Sequence, residues 1–183
     1  MLMVVRMVRL RTRLLAGFGA IGLLMVGMVL ISAQQTAAQR QVTVEVGRLQ
    51  VLTRDVMELK FRDADVSGWQ VAYAWDVAYL GGSAATADDA ANRKGFLDST
   101  RALADELAAV HATSLSGQER VLFDQIRQSF AAFLDYDQQV VALFRQNTPG
   151  AVTQANALII GPGYEAYFKI LDATNKLIVS VER

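Results

Sequence analysis

Asp63, Asp65, Asp76, Asp135 and Asp137 are carboxylates in stretches of helical periodicity, and two of them held together could work as general acid and base. Nothing in their spacing demands such a pair. Charged residues on helices are mostly exposed or paired, so these are expected to form solvated faces or interhelical ion pairs. The chain has no cysteine and a single histidine, His111. A zinc or haem site therefore lacks a thiolate and a second imidazole, and H-E-x-x-H, G-x-S-x-G and the P-loop lysine are absent from the sequence. His111 is expected near a helix C-terminus, where a partial positive charge suits the dipole. No catalytic residue, metal or cofactor is expected.

Gly17-Phe18-Gly19-Ala20-Ile21-Gly22 spells the dinucleotide fingerprint G-x-G-x-x-G, but that motif must follow a strand and open a helix. Here it lies inside an uncharged run behind an arginine-rich start, so nucleotide binding is rejected. The same small residues have another use: Gly17, Ala20 and Gly27 would let a second copy of a membrane helix approach closely.

Aromatic side chains are the remaining candidates for binding. Trp69, Tyr73, Trp75 and Tyr79 crowd one stretch, with Arg62, Asp63 and Asp76 nearby. Trp69 and Tyr73 continue an apolar seam, for which core packing is the ordinary reading. Trp75 and Tyr79 fall off it and should face solvent or another subunit, as a pocket wall or dimer contact.

The elements that must position these residues are helices. Val42, Val46, Leu49, Leu52, Val56, Leu59, Val66, Trp69, Tyr73, Val77 and Leu80 recur at three and four, the stripe of an amphipathic helix. It is interrupted only near Asp63 and ends at Gly81-Gly82-Ser83, so a first helix is predicted over 33–80. A second should start near Asp88-Asp89, whose charge suits a helix N-terminus, carry Phe96, Leu103, Leu107 and Val110, and end near Ala112. Ser116-Gly117-Gln118-Glu119 is a capping box that opens a third helix with Leu122, Ile126, Phe130, Phe133, Val140 and Phe144. Thr148-Pro149 places proline at a first helical position, where its missing N–H does no harm. The fourth helix carries Tyr164, Tyr167, Phe168, Leu171, Ile178 and Val181, and Gly161-Pro162-Gly163 should break or sharply kink it. The predicted fold is all-α: an N-terminal transmembrane helix continuing into an up-down-up-down four-helix bundle with short connections.

The membrane segment rests on charge and length. From Leu14 to Ile31 no residue is charged, and eighteen helical residues span about 27 Å, near the ~30 Å hydrocarbon core. Arg6, Arg9, Arg11 and Arg13 precede it, while Ser32, Gln34, Gln35, Thr36 and Gln39 follow. By the positive-inside rule the N-terminus is cytoplasmic. This divides the chain into a basic tail over 1–13, a transmembrane helix over 14–32 and an exported domain over 33–183. A cleaved signal peptide, with small residues at Ser32-Ala33 or Thr36-Ala37-Ala38 for cleavage, is the competing reading. Its apolar stretch is usually only about 7–15 residues. Beyond the four arginines, fourteen basic residues face eighteen acidic ones, a net charge of about −4. A mildly acidic body without a basic patch argues against nucleic acid. The last helix should stop about 20 Å short of the membrane at 1.5 Å per residue, and a second transmembrane helix is expected beyond Arg183.

Two segments carry a family likeness. Leu59-Lys60-Phe61-Arg62-Asp63-Ala64-Asp65-Val66-Ser67-Gly68-Trp69-Gln70-Val71-Ala72-Tyr73-Ala74-Trp75-Asp76 resembles the first sensor helix of methyl-accepting chemotaxis proteins. Leu158-Ile159-Ile160-Gly161-Pro162-Gly163-Tyr164-Glu165-Ala166-Tyr167 is similar to their entry into the last helix. The resemblance covers essentially the whole chain through diffuse motifs. It implies a homodimeric periplasmic ligand-sensing domain in the inner membrane, whose partners would be a small molecule or a periplasmic binding protein and a downstream signalling domain outside this chain. Such bundles also precede histidine kinases and cyclases. Relatives bind near the distal end of the bundle, which makes Arg62, Trp69, Tyr73 and Tyr167 the candidate ligand-binding residues by resemblance. Two rivals are an anchored helical bundle that docks a partner without signalling, and a secreted bundle holding a cofactor.

Overall fold

The computed structural model describes residues 2–110 and 115–181, with side chains from 15 onward apart from 33 and 36–38. Among the described residues every regular element is helical: α1 (Leu2–Leu80), α2 (Gly82–Ala85), α3 (Ala91–Ala109), α4 (Gly117–Arg145), α5 (Pro149–Leu158), a π-helical turn (Ile159–Gly163) and α6 (Tyr164–Val181). The all-α expectation holds. His111, and the helix end predicted near Ala112, fall outside the described residues. Two compact units divide the chain, Met1–Gly47 and Arg48–Arg183.

The first unit lies within α1. Its Leu15–Ser32 stretch has a mean hydropathy of 2.2, with none of it buried. This helix is long and apolar enough to cross a membrane. A side-chain carbon added at Gly17, Gly22 or Gly27 would touch nothing.

In the second unit the inward face of α1 carries Leu52, Val56, Leu59, Asp63, Val66, Gln70, Tyr73 and Val77, all buried. The intervals alternate four and three, the repeat that keeps one stripe against its neighbours. Asp63 does not interrupt this seam; it occupies a place in it. Leu80, predicted to extend the stripe, is exposed, as are Val42 and Val46 in the first unit.

The breaks follow the local chemistry. Gly81 adopts φ +79°, a left-handed conformation that glycine takes without strain. Gly82 lies so close to α4 that an added Cβ would fall 1.6 Å from the Phe144 carbonyl oxygen. α3 begins at Ala91 with Ala90 as an N-cap that makes no side-chain bond, so Asp88 and Asp89 lie in the preceding turn instead of the first helical turn. Arg145 of α4 holds that turn: it donates to the Thr86 hydroxyl at 3.2 Å and carbonyl at 2.8 Å and approaches Asp88 at 3.9 Å. Both predicted caps are present. Ser116 and Glu119 satisfy each other's backbone N–H groups at the start of α4, and the Thr148 hydroxyl accepts from Ala151 N–H at the start of α5.

At Gly161-Pro162-Gly163 the α-helix is interrupted, but the helical run does not end. Ile159–Gly163 forms a π-helical turn between α5 and α6. Ala151, Ala155, Ile159 and Gly163 are buried at intervals of four, a spacing that drifts around a helix of 3.6 residues per turn. A wider turn absorbs the drift and accommodates a proline without an N–H. Residues of α1, α3, α4, α5 and α6 share one core, in which Phe96, Phe133, Phe144 and Tyr73 are the bulkiest fully buried side chains.

Candidate functional site

The four candidate residues sit in different surroundings. Arg62 and Trp69 share the α1 stripe that meets α3. The Arg62 guanidinium donates from Nε and Nη2 to one oxygen of Glu106, at 3.0 and 2.9 Å, and this bond raises its pKa further. Trp69 lies over Gly95, where an added Cβ would come within 2.7 Å of the indole, and it keeps 38% of its surface. Tyr167 is half-buried on α6 and stacks at 5.2 Å against Phe168. Burial pushes its phenol up, and the Asp63 carboxyl pushes it further. Tyr73 is fully buried, with its ring edge-on to Phe96 at 5.6 Å. Arg62 and Trp69 are thus brought to one helix interface, while Tyr73 belongs to the core and Tyr167 to the α6 face.

Tyr73 belongs to a polar cluster inside that core. Its hydroxyl and the Gln70 amide both donate to Asp137 Oδ1, the amide at 3.1 Å. Arg93 donates to Asp137 Oδ2 at 2.7 Å, and its guanidinium carbon stands 5.0 Å from the Tyr73 ring centre and 4.7 Å from that of Phe96. Burial, then the Asp137 charge, holds the Tyr73 phenol protonated far above its usual range. Asp137 therefore turns out to be an interhelical ion pair. Sequence reasoning missed Arg93 and Gln70. Their signal was positional: Gln70 stands at a seam position between Val66 and Tyr73, and Arg93 lies three residues before Phe96. A polar residue in an apolar seam must find partners there.

Asp76 and Asp65 behave as expected of surface carboxylates, accepting from Asn92 at 2.7 Å and from Arg62 at 3.5 Å. Asp63 differs from them. It is buried, and its Oδ2 has no hydrogen-bond partner. The off-seam aromatics are exposed, Trp75 by 67% and Tyr79 by 72%, with ring centres 6.1 Å apart.

Two clefts open between α4 and α6. One of about 530 Å³ is bounded by Val121, Leu122, Lys176 and Val179. The other, of about 300 Å³, lies beside the π-helical turn and is bounded by Gln128, Tyr136, Pro162, Glu165 and Lys169. None of the four candidate residues lines either cleft. No group of three or more histidine, cysteine or carboxylate side chains able to hold a metal occurs among the described residues. Comparison of the chain with known protein families, with curated proteins and with solved structures found no match.

Proposed function

We propose that this chain is the input module of a transmembrane receptor of the chemotaxis type: a ligand binds residues 33–183 outside the cytoplasm, and the change is relayed across the inner membrane. The observation that carries this reading is α1 itself. One unbroken helix contains both the apolar span Leu15–Ser32 and the seam from Leu52 to Val77 that builds the core. A displacement of the core against that seam acts directly on the element that bears the span. Differential affinity of a ligand for two such arrangements is what drives the shift, and couplings of about 1–3 kcal/mol suffice.

An up-down-up-down four-helix bundle, with α5 and α6 as the last member, is the arrangement proposed for the exported body. Opposed registers support it. Arg62 reaches Glu106 and Tyr73 reaches Arg93, so α3 descends as α1 ascends. Arg93 pairs with Asp137 and Phe96 meets Phe133, as expected if α4 runs back along α3. Glu119 at the start of α4 meets Ser180 near the end of α6 at 3.3 Å, as expected if the last helix reverses again.

A homodimer is part of the proposal. α1 carries a second apolar stripe, away from the core: Met57, Phe61, Ala64, Gly68, Val71, Trp75 and Tyr79, all exposed. Its intervals of three and four match a coiled-coil seam, with the small Ala64 and Gly68 at its middle, where a second helix can come close. Because the chain has no cysteine, Ala64→Cys and Gly68→Cys are clean cross-linking probes. Oxidation in membranes should give covalent dimers from these positions and not from Lys94→Cys on α3; equal cross-linking at all three defeats the dimer. For the sensor, the full chain in lipid nanodiscs is screened by thermal shift against amino acids, organic acids and purines, and hits are titrated by calorimetry. A hit whose affinity falls in Arg62→Ala, Trp69→Ala or Tyr167→Ala supports the assigned residues. Unchanged affinity in all three removes them, and the absence of any hit counts against a small-molecule sensor.

A further inference from the structure

Asp137 and Asp63 are both 2% exposed, yet their surroundings are opposite. Asp137 receives Arg93, Gln70 and Tyr73. Asp63 receives no hydrogen bond and no ion pair among the described residues, and its Oδ2 is fully enclosed. A carboxylate in that position loses its hydration and gains nothing in return, so it keeps its proton. Burial pushes Asp63 up to about 7.

The groups around it offer no relief. From α6 comes Tyr167, a phenol whose own pKa is raised by burial and by Asp63, with Tyr164 beside it. On α3, Glu106 holds Arg62 with one oxygen while its other is buried without a partner. The buried ionisable residues of α4 are Glu119 and Asp137. Glu119 is engaged by Ser116 and Ser180, Asp137 by Arg93. The cations at hand, Arg62 and Arg93, are already committed to Glu106 and Asp137. α6 itself starts directly after the π-helical turn, where Pro162 supplies no N–H to hold the helix together.

We propose that Asp63 is a proton-operated latch on the seam between α1 and α6. Neutral, it is tolerated in the core and Tyr167 packs over it; ionised, it draws water into the seam and releases the first turns of α6, which swing on the π-helical turn. The packed state binds the proton more tightly, so acid closes the latch and a rise through neutrality opens it. The device goes beyond ligand sensing and needs no ligand, so neither reading falls with the other.

The test uses the full chain in nanodiscs with spin labels on Lys60→Cys and Lys169→Cys, read by electron–electron distance at about pH 5.5 and about pH 8.5, on either side of the expected transition. The acid sample should give one short distance, the alkaline sample a longer or broader one, and Asp63→Asn the acid-like distance at both. An unchanged distance in the parent protein, or the same pH profile in Asp63→Asn, overturns the proposal. If Asp63→Asn does not fold, carboxyl-carbon NMR of the parent protein decides the matter. An aspartate titrating near neutrality together with the distance change supports the latch; titration of every aspartate below about pH 5, the ordinary carboxyl range, overturns it.

Discussion

Three donors converge on Asp137 from two other helices, and the energetic consequence is lopsided. Removing one partner of a buried ion pair strands the other, a loss of about 3–5 kcal/mol, whereas replacing both by apolar groups is often neutral. Asp137→Ala is therefore expected to lower unfolding stability by that amount, and the double variant Arg93→Met/Asp137→Leu to recover most of it, measured by urea unfolding with the two single variants completing the cycle. Asp63 gives a pH signature of its own. Its folded pKa of about 7 lies above the ordinary 3.8, so the folded state holds the proton that the unfolded state has lost. Stability is full below pH 4, falls between about 4 and 7, and levels off above that, by on the order of 4 kcal/mol in all. Asp63→Asn should flatten the curve across that window in pH-dependent urea unfolding. The types of these residues were legible in the sequence, but their burial was not. Asp63 and Asp137 look like any other helical carboxylate until the seam is traced through them, and a gap in an apolar stripe reads equally well as an interruption or as a buried polar residue.

Caps and turns carry the element scale, and here local chemistry was largely readable. The Ser116–Glu119 box and the Thr148–Pro149 start are specified by four residues or fewer, and both occur as predicted. Ser116→Ala is expected to cost about 1 kcal/mol, the usual worth of an N-cap, in the same unfolding assay. α3 starts at Ala91, just past Asp88-Asp89, whose composition suits a helix start, because Arg145, far along the chain, fixes the turn that contains them. The contact between Gly82 and Phe144 was equally invisible, since nothing beside a glycine in sequence says what backbone will approach it. Gly82→Ala should be destabilising by about 1–3 kcal/mol, as overpacking generally is, while Gly117→Ala, facing open space, should be within about 0.5 kcal/mol of the parent. A Gly82→Ala protein with unaltered unfolding would mean that α2 does not pack on α4 as described.

For the molecule as a whole, sidedness is the property with the widest consequences. The proposed orientation rests on four arginines ahead of the span and none within it, which by the charge rule would put the start of the chain in the cytoplasm. A reporter enzyme active only outside the cytoplasm, fused at residue 110, should be active in cells, and its inactivity there would invert the proposed orientation. The all-α class and the apolar span were legible because both are written as periodicity and length. The surroundings of the four candidates were not, because what a side chain faces depends on how helix faces are brought together, and these residues are named by resemblance alone. The wide turn at Ile159–Gly163 also bears on how this protein tolerates change in length. At that point the count of residues and the rotation of the helix are no longer tied, so gaining or losing one amino acid there can be taken up on the spot. The same change inside α6 would turn every later side chain by about 100°, carrying Ile170, Ala173 and Leu177 out of the interior. Among related genes, single-residue length differences should gather at this turn and be rare on either side of it.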